Sequence, residues 1–124
     1  MNNTGAERRQ DKRVVFSIDD ITAVLSEHYD SDVHKHIVLI NLSQSGMQFT
    51  IRSSDRNPFT RGDRLYLLQI NHKDKCYDNL NIELEILWIL NPPTLRYIGI
   101  GCRFLSVPSA SQIQLSEVMS IVTS

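Results

Sequence analysis

Ile82-Glu83-Leu84-Glu85-Ile86-Leu87-Trp88 is the stretch whose reading decides the fold class. Ile82, Leu84, Ile86 and Trp88 alternate with Glu83 and Glu85, the period of a strand with one face on a core and the other in water. Asn91-Pro92-Pro93-Thr94 must end that strand, because proline cannot donate to a sheet ladder. Beyond the break, Ile98, Ile100, Cys102 and Phe104 line one face of a final strand. Before it, Arg64 to Ile70 reads as a strand and Asn71 to Asn79 as a polar loop. Met47, Phe49 and Ile51 alternate with Gln48, Thr50 and Arg52, and the segment from Ser53 to Asp63, with Pro58 and Gly62, reads as a loop. Three earlier runs complete the set: Val14, Val15, Phe16 and Ile18; Ile21 to Ser26; and His36 to Asn41.

After Pro108 the period lengthens. Leu115, Val118, Met119 and Val122 fall at i, i+3, i+4 and i+7, the stripe of an amphipathic helix. Ser109 or Ser111 is placed to cap it, each with a glutamine three residues on. Six or seven short strands with no helix between them predict an all-β fold, a small closed or nearly closed antiparallel barrel. The C-terminal α-helix is expected to plug one open end or pack against the side.

The 124 residues suffice for one domain with one core. Hydrophobic residues at 41% and charged residues at 22% give an ordinary globular balance, and a net charge of −1 argues against a nucleic-acid polymer as partner. Cys76 and Cys102 stand in no metal-binding spacing and read as reduced thiols of a cytoplasmic protein. No apolar run approaches the ~20 residues of a membrane span, and the polar N-terminus is no secretory signal. No membrane insertion is expected.

Residues 1–12 read as a flexible basic arm ahead of a single domain over residues 13–124. In Glu7-Arg8-Arg9-Gln10-Asp11-Lys12-Arg13, four basic residues face two acidic ones where the arm meets the first strand. Arginine carries a planar fork of donors that grips phosphate or reads the O6/N7 edge of guanine, and it stacks on purines. By itself such a segment is equally an ordinary solvated tail. A second cluster, Asn41-Leu42-Ser43-Gln44-Ser45-Gly46, lies between two strands. Asn41 can offer a carbonyl or an amide to a base edge, and the Ser43 hydroxyl can donate to a phosphate oxygen. Gly46 permits a tight turn, with positive φ open to it, whose N–H groups form a small anion nest. Alone, this too is a common hairpin turn.

Taken as an ordered pair, Arg9-Gln10-Asp11-Lys12-Arg13 and Asn41-Leu42-Ser43-Gln44-Ser45-Gly46 resemble the RxxxR and [D/N]xSxxG signature of the PilZ family. Gly101-Cys102-Arg103-Phe104 resembles its last strand, so the resemblance spans roughly Arg8 to Val122. It implies a six-stranded antiparallel PilZ-like β-barrel that binds the second messenger cyclic di-GMP on its outer surface. Arg9 and Arg13, helped by Arg8, are then expected to grip guanine edges and phosphates. Asn41 is expected to bond the Watson–Crick edge of a guanine, Ser43 a phosphate, and Gly46 to shape the turn. Many members carry Asp where this chain has Asn41; an amide offers one oxygen and must turn its NH₂ elsewhere.

The expected function is a receptor or effector module whose arm changes conformation on ligand binding and signals to a partner protein in motility, biofilm, exopolysaccharide or virulence control. Since no second domain is read in the chain, the output is assigned to an unidentified downstream protein. The alternative is a PilZ-like protein-interaction adaptor independent of cyclic di-GMP. No cofactor is expected. His34 and His36 share a strand face but lack a third ligand, so no metal site is predicted. Asp19 and Asp20 read as turn residues, and no catalytic motif occurs, so no enzyme is expected.

Overall fold

The alternating runs fold as strands. The computed structural model describes residues 14–15, 21–27, 34–52, 59–94 and 96–123. Its strands are β1 (Val14–Val15), β2 (Ile21–Ser26), β3 (His34–Leu42), β4 (Gly46–Arg52), β5 (Arg64–His72), β6 (Lys75–Tyr77), β7 (Ile82–Leu90) and β8 (Tyr97–Ser106). A single helix, α1 (Ser109–Thr123), follows among the described residues. Arg8, Arg9, Arg13, Phe16 and Ile18, singled out in the sequence, lie outside the described residues.

Every strand pair is antiparallel, and the order β3-β2-β5-β7-β8-β4 closes on itself through a β3–β4 pairing. The result is a six-stranded barrel. Closure leaves no unpaired edge in the ring, the usual solution for a sheet of short strands. Outside the ring, β1 adds to the end of β3, with Val14 opposite Leu42 and Val15 opposite Asn41. The barrel is filled by inward residues from all six strands, among them Leu25, Leu39, Phe49, Leu67, Leu84 and Ile100, each fully buried. Phe59 enters from the β4–β5 connection and meets Phe49 edge to face at 5.5 Å.

Two bulges reorient the outer wall. On β3 the register moves from Leu39–Phe49 to Asn41–Gln48, so Ile40 is an extra residue. Parity reverses there: Leu39 and Leu42 both face the core, and Asn41 turns outward. On β7 the register moves from Ile86–Cys102 to Trp88–Gly101, and Leu87 is the extra residue. Trp88, expected inside with Ile82, Leu84 and Ile86, is therefore on the outer wall, and Ile89 packs against the core instead.

The expected loop from Asn71 to Asn79 contains a strand. β6 folds back on β5, pairing His72 with Lys75 and Ile70 with Tyr77. Its turn uses Lys73 at φ 56°, so the glycine or asparagine that signals a hairpin is missing from the sequence. Helix α1 closes the barrel end at which β3 finishes and β4 and β7 begin. Leu115 and Val118 join the core, and Met119 packs against it. The cap differs from the expectation: the Pro108 carbonyl accepts from Ser111 N–H and Gln112 N–H, at 2.9 and 3.0 Å. Ser111 is buried and donates its hydroxyl to the Leu80 carbonyl at 2.5 Å, pinning the helix to the segment that leads into β7.

Candidate functional site

One cross-strand row carries the candidate site. Val15 of β1 pairs with Asn41 of β3, Asn41 with Gln48 of β4, Gln48 with Gly101 of β8, and Gly101 with Trp88 of β7. Neighbouring strands lie ~4.8 Å apart, so the row runs about 20 Å around the wall. Both bulges serve it, since without Ile40 and Leu87 neither Asn41 nor Trp88 points outward.

At one end, Asn41 is 6% exposed, and its amide nitrogen donates to the side-chain oxygen of Gln48 at 2.5 Å. At the other, Trp88 lies flat over Gly101 and reaches the edge of Gly99. A Cβ on Gly101 would overlap the indole, while one on Gly99 would sit 3.7 Å from it. The ring is 39% exposed, so an aromatic platform faces solvent beside the Asn41–Gln48 pair. Next along the wall, Arg103 faces Glu85 with a 2.7 Å ion pair at the strand positions opposite Gly46.

The turn from Ser43 to Gly46 is held from within. Ser43 N–H donates to the Gly46 carbonyl at 2.9 Å, and the Ser43 hydroxyl reaches that same oxygen at 3.3 Å. Ser45 N–H donates to Ser43 Oγ at 3.3 Å, and the Ser45 carbonyl accepts from Phe104 N–H at 2.7 Å. Ser43 is fully buried. Gly46 has no positive φ, the one such glycine among the described residues being Gly62. Glycine is required for a different reason: a Cβ at 46 would overlap the Cys102 carbonyl oxygen, so β4 could not approach β8. Gln44 at the turn's tip donates from Nε2 to Ser116 Oγ of α1 at 2.8 Å.

Of the six residues the sequence singled out, Asn41, Ser43 and Gly46 come together at the β3–β4 turn. Arg8, Arg9 and Arg13 lie outside the described residues, although β1 begins one residue after Arg13. Sequence reasoning missed Gln48 and Trp88. The alternation of Gly99 and Gly101 on the outer face of β8 was the available sign that a large side chain lies across that strand. His34 and His36 belong to no cluster of three metal-ligating side chains among the described residues. No described helix is long and apolar enough to cross a membrane.

Fold and site place the chain among small closed barrels that gather polar side chains and an aromatic platform on the outer wall. The chain belongs to the PilZ domain family, whose model matches residues 7–119. Its fold is similar to that of the PilZ domain with c-di-GMP of YcgR from Escherichia coli, with a TM-score of 0.64 and 16% identity over 94% of this chain and 92% of that one. It is similar also to the Bacillus subtilis inhibitor of motility, MotI/DgrA, with a TM-score of 0.67 and 16% identity over 90% of this chain. The K. pneumonia MrkH–c-di-GMP complex matches with a TM-score of 0.64 and 14% identity over 94% of this chain. This chain spans 49% and 52% of those last two proteins. No curated protein matches significantly.

Proposed function

We propose that this PilZ domain is a cyclic di-GMP receptor, with the ligand lying along the outer-wall row between the arginine arm and Trp88. The observation that carries this reading is the row itself. It sets Asn41 beside the strand that directly follows Arg13, and it ends on an exposed indole. A cyclic dinucleotide asks for that combination: cations for two phosphates, an acceptor for a guanine edge and a flat apolar face for a purine. Arg8, Arg9 and Arg13 supply the cations, Asn41 the guanine contact, and Ser43 and Gly46 the shape of the turn. The similar E. coli and K. pneumonia structures contain c-di-GMP, which supports the choice of ligand.

The ligand bridges arm and barrel, and the rearranged arm presents a new surface to a partner protein in the cytoplasm. Such a role requires no catalysis. Titration calorimetry with cyclic di-GMP tests it. Binding at micromolar concentration or below is expected, lost in Arg13→Ala and weakened in Asn41→Ala. The chain has a single tryptophan, so Trp88 emission is expected to change in the same titration, and Trp88→Ala to weaken binding about tenfold, the scale of one base–aromatic stack. An absence of heat at a few hundred micromolar ligand rejects the receptor reading and leaves the ligand-independent adaptor.

A further inference from the structure

We infer that the opening between β3 and β4, at the barrel end away from α1, is a second binding site, one that takes a phosphate group, free or carried by a compact metabolite. It stands apart from the cyclic di-GMP reading and does not depend on it. The strand ladder creates the opening. β3 and β4 pair from Leu42–Met47 to Val38–Thr50, and among the described residues they do not pair beyond that point. Past it, β3 runs back to His34 against β2, and β4 runs on to Arg52 against β8. The two strands part, and a cavity of about 230 Å³ lies between them.

Strand alternation decides what faces the cavity. Leu39 and Phe49 point into the core, so His36, Thr50 and Arg52 point outward. Tyr97, opposite Arg52 on β8, is 48% exposed and lines the same cavity. Beneath them, Ile37 and Ile51 supply an apolar floor that joins the core. The polar lining is therefore a guanidinium, an imidazole, a phenol and a hydroxyl, and no carboxylate is among the described residues that line it. None of these four side chains forms a hydrogen bond or an ion pair with another described residue. Arg103, by contrast, is held by Glu85 at 2.7 Å.

A cleft lined by positive charge, with donors not already committed, concentrates anions. The Arg52 fork matches two phosphate oxygens, and the His36 ring N–H with the Thr50 and Tyr97 hydroxyls can donate to the rest. Place and size separate this cavity from the outer-wall row. Arg52 lies four residues beyond Gln48 on β4, about 13 Å along the strand. The volume falls below the about 300–1,000 Å³ of pockets that enclose drug-sized ligands, so the cavity admits a phosphate and little more. A base carried on that phosphate would lie outside, against the exposed Tyr97 ring.

The experiment is a titration of the full chain with inorganic phosphate, followed by amide proton–nitrogen spectra at constant pH and ionic strength. Saturable shifts are expected at Ile37, Ile51 and Arg52, with a dissociation constant of about a millimolar, while the Trp88 indole N–H stays in place. Arg52→Ala and Arg52→Gln are expected to weaken binding at least about tenfold, with thermal melts establishing that both are folded; Arg103→Ala should bind as the wild type does. Uridine monophosphate distinguishes the two sources of phosphate. Equal affinity for both probes assigns the cavity to free phosphate, and tighter binding of the nucleotide, lost in Tyr97→Ala, assigns it to a carried one. No saturable shift at these residues, or shifts spread evenly over the exposed arginines, overturns the inference. So does loss of cyclic di-GMP binding in Arg52→Ala, which would make the cavity part of the row's own ligand site.

Discussion

Cys102 illustrates how one buried side chain sets a property of the whole chain. It faces inward from β8, 6% exposed, and burial pushes its thiol up from 9.0 to about 12. The unfolded chain surrenders that proton near 9 and the folded one holds it to about 12, so above pH 9 the native state binds more protons. Stability contributed by the neutral thiol is full below pH 9 and declines by about 1.4 kcal/mol per pH unit toward 12. Urea melts of wild type and Cys102→Ala between about pH 8 and about pH 10 are expected to diverge, the wild type losing stability faster. Cys76 is exposed, so a thiol reagent should label it in the native protein while Cys102 stays silent. Tyr77 is a second case. Its hydroxyl is buried with no hydrogen-bond partner among the described residues, a group that costs about 1–3 kcal/mol. Tyr77→Phe is accordingly expected to leave stability unchanged or raise it, as measured by thermal melting. Neither residue could be read this way from sequence, since burial of a single cysteine or tyrosine is decided by strands distant in the chain.

At the scale of elements, what was legible followed the period. β2 is the run Ile21 to Ser26 as read, and β7 and β8 grow from their alternating residues. What was not legible turns on single extra residues and on turns that lack their usual sign. Leu87 is an apolar residue in an apolar strand, and nothing in its identity marks it as the bulge that rotates Trp88 outward. The candidate site suffered most from this. Asn41, Ser43 and Gly46 are visible as a motif, whereas Gln48 and Trp88 enter only through cross-strand register. Gly46 is legible as a special position, but for the wrong reason: its missing Cβ admits the Cys102 carbonyl and does not serve a positive φ. The β5–β6 hairpin is hidden because Lys73 occupies its left-handed position. A side chain with a Cβ is disfavoured there by about 1 kcal/mol, so Lys73→Gly is expected to stabilise the domain by roughly that amount in urea denaturation. Asn79 and Asn81, also at positive φ, already carry a residue type that tolerates it, and Asn→Gly at either should gain less.

For the molecule as a whole, the ring of six strands closes without β1, the two-residue strand that directly follows Arg13. A ligand that spans the arm and the ring should therefore bind the folded barrel and have no counterpart site in the unfolded chain. Linkage then fixes the size of the effect: at a concentration about one hundred times its dissociation constant, such a ligand adds about 2.7 kcal/mol of stability. For a domain of 124 residues each kcal/mol moves the melting temperature by about 3–5 °C, so saturating cyclic di-GMP should raise it by roughly 8–13 °C. On the proposed reading Arg13→Ala should melt like the unliganded wild type whether or not the nucleotide is added, because it removes a cation assigned to the ligand. Leu115→Ala makes the opposite pair with it. That side chain is fully buried where α1 closes the barrel, so its loss should cost about 2–5 kcal/mol and lower the melting temperature in the absence of ligand. Its ligand-induced rise should nevertheless persist, since the outer-wall row is left whole. A rise abolished in Leu115→Ala, or retained in Arg13→Ala, would separate the ligand's site from the arm and the row of Asn41, Gln48 and Trp88.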